Sequence, residues 1–415
     1  MRPLVPLAGL ALCACADSFP PPPAPPPWQP DRSPSGASAG GPTLDDDLAF
    51  LRAHGPVDVL ESPAGGRVVV SARWQGRVMT SAVEPHGASL GFVHRKFIEA
   101  GKTGTAFDNY GGEDRFWLGP EGGQYGLYFA PGAPFVIGSW QTPHAMQEGE
   151  WAVTSRDATQ VTFARTMHVV NASRAEFDVA VQRTVRVLSA DDVRARFGQP
   201  PPPGAKWVAF ETVNRVTNAG KRAWKRDTGL LSIWILGMYP PAPDARVVVP
   251  FEPGGAGPIV NDAYFGKVPP ERLVVHEREG WLGFVADGEH RSKIGLSQAR
   301  ARDALGSWSA GAGLLTLVRY GKPASAPNGY VNSMWAQQAD PYGGDVVNSY
   351  NDGPTGPGKP SLGGFYEIET SSPAAALAPG ESMEHVHTTL HVVADARALD
   401  PLARGVLGVP LERVK

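Results

Sequence analysis

Apolar residues recur in short runs with a period of two, broken by glycine, proline and asparagine. The run 176–188 is the clearest. Phe177, Val179, Val181, Val185 and Val187 alternate there with Asp178, Gln182, Thr184 and Arg186. That alternation gives one apolar and one polar face, as a half-buried strand requires. Further β-branched or alternating runs predict strands at 57–60, 67–71, 77–83, 159–166, 207–217, 230–238, 280–286, 314–320, 364–370 and 383–393. Helical patterning is confined to three short stretches. Thr43 caps 44–53, with Asp45, Asp46 and Asp47 in the favourable first turn and Gly55-Pro56 as the stop. The others are 190–197 and 401–406, the last with Asp400 as cap and Pro401 in its first turn. Many strands with long connections predict an all-β sandwich of large antiparallel sheets with few short helices.

Composition agrees with strands. Glycine (49) and proline (41) make about 22% of the 415 residues, against about 12% in ordinary chains. Hydrophobic residues at 42% still allow a large core. The net charge is −3, from 38 basic and 41 acidic residues, with no basic stripe. Nucleic acid is therefore not an expected partner. No apolar run reaches the ~18 residues of a membrane span.

The first residues read as an address. Arg2 is a short positive region, and Leu4, Val5, Leu7, Leu10, Ala11 and Leu12 form a short apolar one. Leu12-Cys13-Ala14-Cys15 resembles the bacterial lipobox, in which a small residue precedes the cysteine that becomes lipidated. Cys15 follows Ala14 and fits; Cys13 follows Leu12 and fits poorly. Residues 1–15 are expected to be a lipoprotein signal peptide with Cys15 as the lipid anchor. An ordinary cleaved signal is the alternative. Residues 16–42, rich in proline and then in glycine, serine and alanine, are expected to be a tether containing Trp28. Residues 43–415 are expected to form one domain. The expected location is the bacterial cell envelope, with membrane contact through the lipid alone.

Four groups of residues can carry chemistry. Glu367 and Glu369 are two apart in a predicted strand, so they share a face about 7 Å apart. Carboxylates held that close raise one another's pKa, which suits acid–base work near neutral pH. A solvated face paired to arginines is the alternative. His385, His387 and His391 share another strand face. His-x-His is a metal-ligand spacing, but no cysteine or second His-x-His supports it, and hydrogen bonding within the sheet is the alternative.

The stretch 111–124 sets Arg115, Trp117, Glu121 and Gln124 among glycines and a proline, where backbone can approach a ligand or another strand closely. Trp117 with Arg115 suits a saccharide platform and clamp, or a fold-forming corner. No glycine-rich turn leads into a helix, so the stretch is not a nucleotide loop. Further on, Asn332, Trp335, Gln337, Gln338, Asp340, Tyr342, Asp345, Asn348, Tyr350, Asn351 and Asp352 interleave rings with amides and carboxylates. That mixture suits sugar C–H faces and hydroxyls. Lys293 is a candidate cation for an acidic sugar, or a surface lysine.

The segments Phe365-Tyr366-Glu367-Ile368-Glu369-Thr370-Ser371-Ser372-Pro373, Leu377-Ala378-Pro379-Gly380-Glu381-Ser382 and His385-Val386-His387-Thr388-Thr389-Leu390-His391 follow one another closely. Together they resemble the end of the galactose-mutarotase-like (aldose epimerase) superfamily. Val213-Asn214-Arg215-Val216-Thr217-Asn218-Ala219-Gly220 resembles its middle strand and turn. The resemblance covers most of 57–394. It implies a supersandwich of two large antiparallel sheets with a sugar cleft on a concave face. It also implies that Glu369 is the catalytic glutamate. The superfamily's acid is a histidine that would fall in 229–237, where Ser232 and Trp234 stand and no histidine occurs. His385 or His387 would replace it; Trp234 would stack on a sugar or fill the core. The whole chain, through 110–124, 292–295 and 344–353, more closely resembles a family of uncharacterised secreted bacterial proteins, which implies this fold and no particular reaction.

These readings converge on a carbohydrate-active enzyme of the cell envelope. It would act on a mono- or oligosaccharide by carboxylate acid–base chemistry of epimerase, hydrolase or lyase type. Glu369 is expected as base or acid, Glu367 as its tuner, and His385 or His387 as its partner. Arg115, Trp117, Glu121, Gln124, Trp234, Lys293, Asn332, Trp335, Asn348 and Asp352 are expected to bind the sugar, with no cofactor and no metal. The alternative is a non-catalytic glycan-binding lipoprotein using Trp117, Trp335 and the amide cluster.

Overall fold

The computed structural model describes residues 41–104 and 106–415. The expected signal peptide at 1–15, the lipid anchor Cys15, Trp28 and nearly all of the tether lie outside the described residues.

Alternating runs become one ten-stranded antiparallel sheet. Its spatial order is Leu273–His276, Trp281–Val285, Arg246–Pro250, Ala304–Ser309, Leu314–Tyr320, Ser382–Val393, Lys206–Asn218, Glu176–Val187, Gln160–Val170 and Ala152–Arg156. A second antiparallel sheet has five strands: Ser292–Ser297, Asp345–Asn351, Tyr366–Ser371, Ser232–Tyr239 and Arg115–Gly119. A three-stranded sheet of Asp58–Glu61, Arg67–Ser71 and Arg77–Ala82 continues it. There Val78 and Asp114 exchange backbone hydrogen bonds of 3.0 and 3.4 Å.

The two layers pack face to face, which makes the fold an all-β supersandwich. Val179, Val181 and Phe210 of the ten-stranded sheet meet Phe116, Leu118, Ile233 and Ile235 of the five-stranded one. Farther along, Val247, Leu282 and Phe284 meet Ile294, Val347 and Ile368. Each such side chain contributes about 1.5–3 kcal/mol by leaving water. The other face of the ten-stranded sheet is covered by the helix Ala396–Leu407, whose Leu399, Leu402, Ala403 and Val406 pack on Val248, Trp308, Leu315 and Leu390.

Local signals placed the helices at Leu44–His54 and Ala190–Phe197. Thr43 accepts from Asp46 N at 3.2 Å while Asp46 accepts from Thr43 N at 2.9 Å, a capping box. The C-terminal helix differs from expectation. It starts at Ala396 with Asp395 as cap, so Pro401 lies inside it. Fully buried Leu399 docks the added turn on the sheet and outweighs the one backbone bond that proline forgoes. Asp400 accepts instead from Leu411 N at 2.8 Å. The short helix Arg95–Ala100 gave no periodic signal.

Seven strands also escaped the pattern, and three of them, Arg115–Gly119, Ser292–Ser297 and Asp345–Asn351, belong to the five-stranded sheet. Every residue of Arg115–Gly119 is buried, so no alternation exists to be seen.

Candidate functional site

Along Tyr366–Ser371, Tyr366 and Ile368 pack into the core between the sheets. Glu367 and Glu369 alternate with them and face the opposite way. In register, Glu367 lies between Tyr350 and Met238, and Glu369 between Asn348 and Leu236. Lys293 lies opposite Tyr350, and Arg115 opposite Leu236. Lys293 and Glu367 therefore share one cross-strand row, and Arg115 and Glu369 the next. The ion pairs cross between the rows. Arg115 Nη2 donates to Glu367 Oε1 at 2.7 Å, and Lys293 Nζ donates to Glu369 Oε2 at 2.9 Å. Trp234 Nε1 donates to the same Glu369 oxygen at 2.9 Å. Each cation reaches in from two strands away, Lys293 from one side of the carboxylates and Arg115 from the other.

A cleft, partly open to solvent, lies over these pairs. Its charged lining includes Arg115, Glu121, Lys293 and Glu367, and rings of Trp117, Trp140, Trp234 and Trp335 wall it. Aromatic walls with a few convergent polar groups are what ligand pockets commonly show. Trp117 does not offer an open platform. The Arg115 guanidinium lies 4.0 Å from its ring centroid, and the residue is 4% exposed. Lys293 similarly sits 4.8 Å from the Trp234 ring. Trp335 and Trp140 stack at 6.3 Å.

Burial sets the protonation of this lining. Desolvation, opposed by Arg115 and reinforced by Glu369, pushes Glu367 up to about 8. Desolvation also raises Glu121, with Lys293 pulling the other way. Burial works against the Lys293 charge, but Glu369 and Glu121 outweigh it and raise its pKa. The Trp335 and Trp140 indole N–H groups lie near enough to Glu121 to oppose its rise, yet neither closes to hydrogen-bond geometry. They remain buried donors without a protein partner, as do Arg115 Nε and Nη1; Glu369 Oε1 is a buried acceptor in the same position. Unpaired buried polar groups carry a desolvation cost, and these five atoms lie at the cleft or just behind its lining.

The structure brings Arg115, Trp117, Glu121, Trp234, Lys293, Trp335 and Glu367 to the cleft. Lys293 is buried, not a surface lysine. Glu369 is fully buried and sits behind Lys293 and Trp234, outside the cleft lining. Gln124 and Asn332 act on loops instead of lining the cleft. Gln124 accepts from Gln338 N at 3.1 Å and donates to Gln338 O at 2.9 Å, and Asn332 accepts from Met334 N at 3.0 Å. They fix the segment that presents Trp335. Gly122 permits this approach, since a Cβ there would meet the Met334 carbonyl oxygen at 2.5 Å. Asn348 donates to Tyr264 Oη and to Ile294 O, both at 3.1 Å. Asp352, fully buried, accepts from Tyr350 Oη at 3.0 Å and from the backbone N–H groups of Leu362, Gly363 and Gly364. It shapes the loop that carries Leu362 and Phe365 to the cleft.

The histidines require a correction. His385 Nε2 and His387 Nδ1 both meet the Thr370 hydroxyl, at 2.9 Å each, between the sheets. Thr370 and Glu369 are successive strand residues and point to opposite faces. Neither histidine can therefore partner Glu369 or reach the cleft. Burial pushes His385 down to about 3 and His387 to about 4, so both rings are neutral. His391 Nε2 lies 3.0 Å from Glu113 Oε2, and its Nδ1 lies 2.8 Å from Thr316. No group of three His, Cys, Asp or Glu side chains gathers as a metal site would need among the described residues.

Sequence reasoning missed Phe107, Trp140, Phe265 and Arg291 in the lining. The aromatics stand alone in irregular loops without a periodic signal. Arg291 could have been found, because it precedes Lys293 by two positions and strand alternation puts both on one face.

Fold and site together define an all-β supersandwich with a charged, aromatic-walled cleft on the outer face of its smaller sheet. The chain belongs to the family described as "Family of unknown function (DUF6786)", whose model matches residues 42–415. No curated protein matches it in sequence. Among solved structures it is similar to a putative aldose 1-epimerase from Escherichia coli K12, at 12% identity over 81% of this chain and 98% of that one, with a TM-score of 0.48. It is similar to the Slr1438 protein from Synechocystis sp. PCC 6803, at 10% identity over 82% and 96%, with a TM-score of 0.48. A galactose mutarotase-like protein from Lactobacillus casei ATCC 334 shows 10% identity over 81% and 100%, with a TM-score of 0.46. These likenesses assign no residue a role.

Proposed function

We propose that the cleft binds a saccharide and moves protons on it with carboxylates. The observation that carries this reading is the set of buried, unpaired polar atoms of Arg115, Trp140 and Trp335 around two cleft carboxyls, Glu121 and Glu367. Hydroxyls of a sugar can satisfy those donors, and its C–H faces suit the rings. Glu367, pushed up to about 8, keeps its proton at neutral pH and is the proton donor. Glu121 is the acceptor, made more basic by burial. Lys293 and Glu369 hold the charge between them. In an epimerisation, Glu121 takes the anomeric hydroxyl proton as Glu367 protonates the ring oxygen. The ring C–O bond breaks, the carbonyl forms, and closure on the other face returns both protons. No histidine is needed at the cleft for this pair.

Proton NMR of neutral and acidic sugars, incubated with the protein and with Glu367→Gln and Glu121→Gln, tests the reading. New anomeric or alkene signals with the wild type alone support it and name the reaction. Line broadening without new signals, equal in all three proteins, leaves a binder and removes the acid–base roles. Spectra that the protein leaves unchanged would sink the saccharide reading. Envelope anchoring through Cys15 is a separate part of the proposal. Labelled palmitate should enter the protein and not Cys15→Ala.

A further inference from the structure

The charged groups at the cleft are not all matched. Arg115 is paired with Glu367, and Lys293 with Glu369. Arg291 also lines the cleft, half-buried, and forms no ion pair among the described residues. Its guanidinium carbon lies 3.6 Å from the Phe265 ring centroid, and its Nε donates to Tyr350 Oη at 3.3 Å. The Phe265 face and the Tyr350 hydroxyl thus orient the plane and use one N–H. Both terminal nitrogens are free of protein partners among the described residues. The nearest acid through Tyr350 is Asp352, and it is already met by the Tyr350 hydroxyl and three backbone N–H groups. Of the other acids nearby, Glu369 is bound by Lys293 and Trp234, Glu367 is bound by Arg115, and Glu121 forms no ion pair with Arg291. A pre-oriented guanidinium fork with free donors, beside aromatic walls, matches a planar carboxylate in two parallel hydrogen bonds.

We propose that Arg291 is the specificity residue of the cleft and that the saccharide it selects is a uronate, whose carboxylate docks on the Arg291 fork. Arg291 forms no ion pair among the described residues, and a hexuronate supplies one planar carboxylate to its fork. This inference rests on the saccharide reading above and narrows it to acidic sugars.

Calorimetric titration of the protein with methyl glucuronide and methyl galacturonide, beside methyl glucoside and methyl galactoside, tests it. A uronide is expected to bind about tenfold more tightly than its neutral parent, with the difference shrinking as salt rises. Arg291→Gln should bring the uronide down to the affinity that the wild type has for the neutral parent, while thermal unfolding shows the variant folded. Arg291→Lys keeps the charge without the fork and should recover part of the preference. Neutral glycosides binding as tightly as uronides, or a preference that survives in Arg291→Gln, would overturn the role of Arg291 and leave the saccharide reading standing. Glucose 6-phosphate binding more tightly than the uronides would overturn the carboxylate assignment. Failure of every glycoside to bind would remove both readings together.

Discussion

The five-stranded sheet carries a polar cluster on each face, and the two differ in how completely they are satisfied. Between the sheets, Arg183 is fully buried and spends its donors on protein: Gly76 O at 2.7 Å, Asn214 Oδ1 at 2.5 Å, and Asp114 O and Oδ1 at 3.1 and 2.5 Å. Thr212 completes Asp114 at 2.9 Å. On the outer face, Arg115 makes one hydrogen bond and leaves two of its nitrogens without partners beside an open cleft. A network closed on itself holds two layers in register; one left open toward a cavity is ready to meet something else. Polar burial alone therefore does not mark a site. The histidines show this: they are as buried as any cleft residue, yet they lie between the sheets, where His387 Nε2 also lacks a protein partner.

Removing a charge from the closed network should do the most damage. Arg183→Ala strands Asp114 without its counter-ion and should cost about 3–5 kcal/mol in denaturant unfolding. A cost under about 1 kcal/mol would mean that the inter-sheet cluster does not hold the layers together. Trp234→Phe is milder. It deletes one of two donors to Glu369 and should cost about 1.5–3 kcal/mol while preserving the ring between Lys293 and Trp117. An unchanged stability would show that Lys293 alone suffices for that carboxylate.

The smallest effect per step is in pH, where the two faces should act with opposite sign. Glu367 binds its proton more tightly folded than unfolded. Its contribution is full below about 4.5 and is lost as pH rises toward 8. His385 and His387 bind theirs more weakly folded. Their contribution is full above 6.5 and is lost as pH falls toward about 3 for His385 and about 4 for His387. Each group changes stability by at most about 1.4 kcal/mol per pH unit. Chemical denaturation across pH 3–9 should show Glu367→Gln removing only the loss of stability on rising from about 4.5 to 8, and His385→Gln only the loss on falling below 6.5. A single variant that flattens both sides would merge the clusters that the structure separates.

The ten-stranded sheet was legible where one face is wetter than the other, and four of its strands, among them the fully buried Ala304–Ser309, were not seen. Glu176–Val187 alternates in burial nearly residue by residue. Even its exception was on view: Arg183 falls on the parity of Val179, Val181 and Val185, and it is the buried arginine of the closed network. The five-stranded sheet hid three of its strands because both faces are covered, one by the core and one by cleft loops. Arg115 and Lys293 then look like surface charges until their strands are paired. The shared face of Glu367 and Glu369 was readable from spacing alone. Which of them lines the cleft was not, because that depends on Lys293 and Trp234 folding over Glu369 from other strands. Trp140 and Phe265 come from irregular loops, whose positions follow from contacts distant in sequence and not from local pattern.

Turnover of a saccharide by Glu367→Gln beside His385→Gln, both followed by proton NMR under one set of conditions, tests the division between the two faces most directly. The cleft account predicts that Glu367→Gln folds and loses conversion by about 10²–10⁴-fold, while His385→Gln unfolds at a lower temperature and keeps converting. Conversion lost in His385→Gln and kept in Glu367→Gln would contradict it and move the chemistry to the inter-sheet face.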